Sequence, residues 1–262
     1  MASRLLVSRP GPDWGPEAVR QWERFFELAG CLGVEPVELA SNPQAPGLVF
    51  AAHAALIAGG LAIVSSFRHA ERRREQPLLR AGLAKAGFAT TFLRQTYFEG
   101  GGDALFDRVR PVLYAGYGWR TERAAVMQLQ EIIGCRVLPL LLVDERLPHL
   151  DQVLCPLGSG HVLVHLAALS PYAQQLVRRA VDPGALIEVS LDDALGGACG
   201  ALEIGDALLL DGCSRRLRER LNGIGYRVFC TDLGAFAAGG GARALALRLD
   251  DGPAAGMAAA TA

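Results

Sequence analysis

Phe98-Glu99-Gly100-Gly101-Gly102-Asp103-Ala104-Leu105 sets a carboxylate on each side of three glycines. Glycine takes positive φ without strain and lets other groups approach its backbone, so the run reads as a turn that cannot pack a core. Alone, it would be a loop with solvated acids. About fifty residues on, Pro148-His149-Leu150-Asp151 puts a histidine and an aspartate two apart, which on a strand point to one face. A glutamate that orients a histidine, with more acids nearby, suits general acid–base chemistry on a cationic substrate.

These residues need elements to hold them. Leu5–Ser8 reads as a strand, and a helix with Pro16 at its start runs to about Gly33, with Val19, Trp22, Phe26 and Ala29 on one stripe. Val34–Leu39, Leu48–Ala51, Ala54–Ala58 and Leu61–Ser65 read as strands, with Gly59-Gly60 as a hairpin turn. A helix follows over Ala70–Ala86, then a strand over Phe88–Leu93 that leads into the glycine turn. Beyond it come strands at Val112–Ala115 and Arg136–Leu142 around a helix at Thr121–Gly134. Strands at Val162–His165 and Leu186–Ser190 flank a helix at Pro171–Val181. Leu202–Ile204 and Ala207–Leu210 pair around Gly205-Asp206. A helix over Ser214–Asn222 with Gly223 as C-cap, and strands at Tyr226–Cys230 and Ala242–Leu249, complete the pattern. Helices thus recur about every fifty residues with strands between, which suggests repeated units that each need their neighbours. Periodicity alone also allows an ordinary doubly wound α/β sheet.

The 262 residues are 51% hydrophobic and 20% charged with a net charge of −1, which gives a globular chain with a sizeable core. Residues 1–250 are expected to form one domain, and the Ala/Gly/Pro-rich stretch 251–262 a flexible tail. Arg72-Arg73-Arg74 is the one basic block and reads as a solvated helix face, so no nucleic-acid partner is expected. No apolar run reaches the ~20 residues of a membrane helix, and the N-terminal apolar run is too short for a signal peptide. Six cysteines without Cys-x-x-Cys spacing argue against zinc and against a secreted disulfide framework, and point to the cytoplasm. The glycine runs 100–102 and 239–241 lack phosphate-loop spacing. No metal or cofactor is expected. The partner expected is a small molecule, and a homodimer is left open.

FEGGGDALF, then Tyr117-Gly118-Trp119-Arg120-Thr121, then His149-Leu150-Asp151 with Cys155-Pro156-Leu157, resembles the guanidino-group-modifying (pentein) superfamily. The similar branch is that of dimethylarginine dimethylaminohydrolases and arginine dihydrolases, near arginine deiminases and amidinotransferases. The resemblance spans about Leu48 to Leu249 in order. It implies five ββαβ units around a pseudo-fivefold axis with the active site at the central channel. It also implies a chemistry in which a cysteine thiolate attacks the guanidinium carbon and a histidine acts as acid and base. Carboxylates match the N–H forks of the planar, charged guanidinium. By this resemblance Glu99 orients His149, Asp151 and Asp103 hold the guanidinium, and Arg68 and Arg120 clamp the α-carboxylate of an arginine-like substrate. The additional glycine between Glu99 and Asp103 also occurs in the arginine-dihydrolase branch.

The chain departs from the family at four polar positions. Where a Gly-Gly-Gly-Ala-Lys-Cys-Leu motif would carry the nucleophile, it reads Gly239-Gly240-Gly241-Ala242-Arg243-Ala244-Leu245, with Ala244 at the cysteine position. Gly47 replaces an aspartate, His53 an asparagine, and Gly200 an asparagine. Ala244 alone would fit an introduced substitution; the four together fit divergence. Cys155, Cys199 and Cys230 are poor substitutes, the last two on expected buried strands, whereas His53 could serve as ligand, base or spacer. Two readings stay open. One is an enzyme that modifies the guanidino group of arginine or an N-substituted arginine. The other is a catalytically silent relative that binds arginine-like ligands or a protein partner.

Overall fold

The computed structural model describes residues 3–252. The first strand, β1 (Ser3–Ser8), runs parallel to β2 (Val34–Leu39), joined by α1 (Gly15–Cys31). Pro16 sits in the first turn of α1, where its missing N–H costs nothing. The buried stripe of this helix is Ala18, Trp22, Phe25 and Ala29, one position off the expected Val19 and Phe26 because Phe25 takes the core side.

Four units of one pattern follow, each an antiparallel hairpin whose second strand runs parallel, across a helix, to a third. The first is β3 (Ala55–Ala58), β4 (Leu61–Val64), α2 (Glu75–Lys85) and β5 (Ala89–Phe92). After the one-turn α3 (Gly100–Asp103) come β6 (Ala104–Phe106), β7 (Val112–Tyr117), α4 (Arg123–Ile132) and β8 (Arg136–Leu141). The next is β9 (Leu154–Pro156), β10 (Val162–Val164), α5 (Pro171–Ala180) and β11 (Leu186–Glu188). After the short α6 (Leu191–Leu195) come β12 (Leu202–Ile204), β13 (Ala207–Leu210), α7 (Arg215–Gly223) and β14 (Arg227–Cys230). The last strand, β15 (Ala246–Arg248), pairs antiparallel with β1, Leu6 opposite Leu247. The two ends of the chain therefore build the fifth unit together, and five three-stranded sheets result. This is the five-fold ββαβ architecture the resemblance implies, not a doubly wound sheet.

Several expected boundaries move. Leu48–Ala51 is not a strand: Pro46–Val49 and Ala51–Ala54 are 3-10 turns that feed β3. The start of the Ala70–Ala86 helix is a 3-10 turn over Ala70–Arg74. The last strand is shorter than Ala242–Leu249, because Arg243–Leu245 forms another 3-10 turn. Cys199 lies in a turn, and Cys230 ends β14 exposed rather than buried. Asp251, placed in the expected tail, is held by Arg108 at 2.5 Å; the remainder of that tail, from 253, lies outside the described residues. No helix among the described residues is long and apolar enough to cross a membrane.

Each first strand of a unit is preceded by a tight turn, and the residue two before the strand is His53, Gly102, Gln152, Gly200 or Ala244. The five turns meet one another, as when Arg243 N–H donates to the Gly200 carbonyl at 2.8 Å.

Candidate active site

The glycine run is buried, not a solvated loop, and it forms the single turn of α3. Each glycine is required by a close neighbour. A Cβ on Gly100 would lie 2.7 Å from the Ala55 backbone, and one on Gly101 2.9 Å from the Ala52 carbonyl. A Cβ on Gly102 would lie 2.7 Å from the His53 ring and 3.2 Å from His149 Nδ1. The run thus lets two imidazoles reach the backbone between Glu99 and Asp103.

His149 lies between the two acids. Its Nε2 is 3.6 Å from Glu99 Oε2, and its Nδ1 is 3.3 Å from Asp103 Oδ1. His149 and Asp151 are not on a strand; His149 precedes the 3-10 turn Leu150–Gln152, and its N–H donates to the Gln152 side chain at 3.0 Å. Burial alone would lower the His149 pKa. The carboxylate of Asp103, then those of Glu99 and Asp151, outweigh it and raise the pKa above the ordinary imidazole value.

Asp103 is fully engaged. Thr121 donates to Oδ2 at 2.7 Å and the Leu150 N–H donates to Oδ1 at 3.1 Å. Both Asp103 oxygens thus already accept hydrogen bonds, and His149 Nδ1 lies 3.3 Å from Oδ1. Glu99 and Asp151 differ. Both oxygens of each are buried and have no hydrogen-bond donor among the described residues. Burial pushes Asp151 up to about 7, against the pull of His149 and Arg243. Two inward carboxylates without donors match the N–H edges of a planar cation.

His53 completes the cluster. Its ring centroid is 4.3 Å from that of His149, and its Nε2 is 3.7 Å from Asp151 Oδ2. Burial, then the charges of His149, Arg72 and Arg120, hold its pKa well below the ordinary value, so it is neutral. Phe50 stacks on its outer face at 5.9 Å. His53, Glu99 and His149 bring ligand-type atoms within 4.8 Å of one another. The Arg72 guanidinium already stands against this set, 3.8 Å from Glu99 Oε2 and 3.2 Å from His53 Nδ1.

Arg72 is the residue that sequence reasoning missed. It turns inward, so the triplet Arg72-Arg73-Arg74 is not uniformly a solvated face. Its guanidinium pairs with buried Glu75 at 2.8 Å and donates to the Gly47 carbonyl at 3.1 Å. It also lies 3.2 Å from His53 Nδ1 and 3.8 Å from Glu99 Oε2. A Cβ on Gly47 would sit 2.2 Å from Glu75 Oε1 and 2.9 Å from Arg72 Nε. The Arg72–Glu75 pair thus fills the volume that an aspartate at 47 would need. The signal in the sequence was the Arg-x-x-Glu spacing, which puts the two on one side of a helical turn. Thr121 was also missed, and only its burial among acids distinguishes it.

The 239–245 turn closes the cluster. A Cβ on Gly240 would be 3.1 Å from Asp151 Oδ1 and 3.5 Å from the Ala244 Cβ, which places Ala244 beside Asp151. A Cβ on Gly200 would be 2.1 Å from the Gly240 carbonyl, so a larger residue at 200 would displace this turn. The two arginines separate. Arg120 is near enough to depress His53, whereas Arg68 is largely exposed, 3.7 Å from Glu122 and over the Tyr97 ring. The structure does not bring Arg68 into the buried cluster. Cys155 and Cys199 are buried, and burial pushes the Cys155 thiol up to about 11 and holds Cys199 well above its ordinary value, so neither offers a thiolate.

Known proteins resemble this chain in sequence and in fold. The family described as "N,N dimethylarginine dimethylhydrolase, eukaryotic" matches residues 15–210. The bifunctional arginine dihydrolase/ornithine cyclodeaminase ArgZ of Synechocystis is 36% identical over 89% of this chain, and the chain spans 33% of that protein's length. The N(G),N(G)-dimethylarginine dimethylaminohydrolase of Mycobacterium tuberculosis is 30% identical over 86% of this chain and 72% of its own. Among solved structures, the substrate-bound N-terminal domain of ArgZ superposes with a TM-score of 0.91 at 32% identity, covering 95% of this chain and 99% of that one. The chain belongs to the N,N-dimethylarginine dimethylhydrolase family, within the pentein fold.

Proposed function

We propose that the chain binds arginine or an N-substituted arginine through its guanidino group and acts on that group. The observation that carries this reading is the pair of donor-free buried carboxylates, Glu99 beside His149 and Asp151 beside His53. In this reading Glu99 and Asp151 take the guanidinium. His149, kept charged by its acids, is the proton donor, with Asp103 and Glu99 as its positioning residues. Arg120, with Arg68 at the outer edge, meets the α-carboxylate. The relatives that set the substrate class are an arginine dihydrolase and a dimethylarginine dimethylaminohydrolase.

By the family resemblance Ala244 takes the place of the cysteine nucleophile, and an alanine cannot attack carbon. That observation favours a second reading, a binding protein without turnover. A crystal of the C264A mutant of the relative AgrE contains L-arginine, so a member of this family binds arginine with a cysteine replaced by alanine. A mass-spectrometric turnover assay on this chain and on Ala244→Cys separates the two, with arginine and its N-methyl and N-hydroxy forms as substrates. Citrulline or ornithine from Ala244→Cys alone supports a binding pocket that lacks only its nucleophile. Product from the unaltered chain supports an enzyme with altered chemistry. Failure of both proteins to bind any of these ligands overturns the assignment to arginine-like molecules.

A further inference from the structure

We infer that Arg72 fixes His53 as a hydrogen-bond donor into the pocket, so that the site selects a guanidine bearing an acceptor oxygen, of the N-hydroxyguanidine class, over a plain guanidinium. The inference rests on the arginine-like reading of the site and adds a substrate feature to it.

An arginine guanidinium has five N–H donors and no acceptor. Arg72 Nη1 lies 3.2 Å from His53 Nδ1, so Nδ1 must present its lone pair. In a neutral imidazole the other nitrogen then carries the hydrogen. The ring cannot easily turn over, since Phe50 stacks on it and the His149 ring and Gly102 backbone face its inner edge. Nε2–H is therefore a buried donor, and it has no hydrogen-bond partner among the described residues. Asp151 Oδ2, at 3.7 Å, is beyond hydrogen-bond reach. If Asp151 moved in to meet it, the pocket would lose one of its acceptors for a cation.

The buried groups here without a hydrogen-bond partner thus comprise four carboxylate oxygens, on Glu99 and Asp151, the N–H of His53, and Nδ1 of His149, which faces Asp103 Oδ1 at 3.3 Å. A plain guanidinium satisfies the oxygens but sets an N–H against the His53 N–H. An N-hydroxyl supplies the missing acceptor while the other guanidino nitrogens still donate. Sites built around a buried polar group reject analogues that leave it unpaired. An N-methyl group is similar in size but brings no acceptor.

Isothermal titration of L-arginine, Nω-methyl-L-arginine and Nω-hydroxy-L-arginine tests this. The N-hydroxy compound is expected to bind on the order of 10-fold more tightly than the other two. In His53→Leu, which has no donor, that preference is expected to vanish. Equal or tighter binding of plain arginine overturns the inference and leaves the arginine-like reading standing. So does a preference that survives in a folded His53→Leu protein. No binding of any of the three overturns both. Long-range ¹H–¹⁵N correlation on the unaltered protein gives a readout that needs no variant. The Nε2–H tautomer of His53 is expected, and an Nδ1–H tautomer overturns the inference.

Discussion

Nδ1 of His53 lies 3.2 Å from Nη1 of Arg72, and the same guanidinium donates to the Gly47 carbonyl at 3.1 Å. Gly47 leaves the space that Arg72 and Glu75 enter, and Arg72 then reaches the histidine. Positions 47 and 53 are thus joined through Arg72 into one structural unit.

The Arg72–Glu75 pair makes the first prediction. Glu75 is buried, and that burial raises its pKa despite the Arg72 contacts. Removal of the cation in Arg72→Met leaves an uncompensated buried carboxylate, with an expected cost of about 3–5 kcal/mol. The double variant with Glu75→Leu is expected to recover part of this loss. A urea-unfolding double-mutant cycle measures the coupling.

His149 has two acidic neighbours of unequal weight. Asp103 raises its pKa more than Glu99 does. NMR titration should therefore show a larger fall in the His149 pKa for Asp103→Asn than for Glu99→Gln. If Glu99 instead binds the guanidinium, Glu99→Gln should weaken arginine-like ligands more than it moves the histidine. Binding titrations on the same two variants check that split.

Asp151 and His149 both hold protons more tightly when folded, Asp151 at about 7 against 3.8 and His149 above 6.5. Between these values the folded state binds more protons than the unfolded chain, so stability contributed by both falls as pH rises. The Asp151 contribution is complete below about pH 4 and lost through about pH 7. Asp151→Asn is expected to raise the melting temperature at pH 8 and to leave it unchanged at pH 4. A cationic ligand needs the ionised carboxylate, so its affinity should rise from pH 6 to pH 8 and lose that dependence in Asp151→Asn. Melting curves and titrations at these pH values read both effects.

Gly102→Ala would drive a Cβ to 2.7 Å from His53 and should cost about 1–3 kcal/mol along with ligand binding. Gly134→Ala, where nothing lies within 4 Å, should change stability by less than about 0.5 kcal/mol. Chemical denaturation of the two variants compares a packed glycine with a free one.

Local signals in the chain were enough for most regular elements. The Gly59-Gly60 and Gly205-Asp206 hairpins, the helix behind Pro16 and the strand Val34–Leu39 follow from turn chemistry and periodicity that need no distant partner. Glu99, His149, Asp151 and His53 could be picked out because their types and motif order were specific, and they do meet. Three features were decided only by tertiary structure. One is the pairing of β15 with β1, more than two hundred residues apart in the chain, which no local pattern encodes. Another is the direction of side chains on turns. Asp103 turns to Thr121 and Leu150, and Arg72 turns inward to Glu75, because buried charges take the partners that packing brings within reach. The third is the gathering of five pre-strand turns at one place, where Gly102, Gly200 and Gly240 are spaces left for neighbours and not merely flexible links. Residue types and spacing name the groups available for chemistry; which of them keep a free hydrogen-bonding atom depends on contacts made by the whole fold.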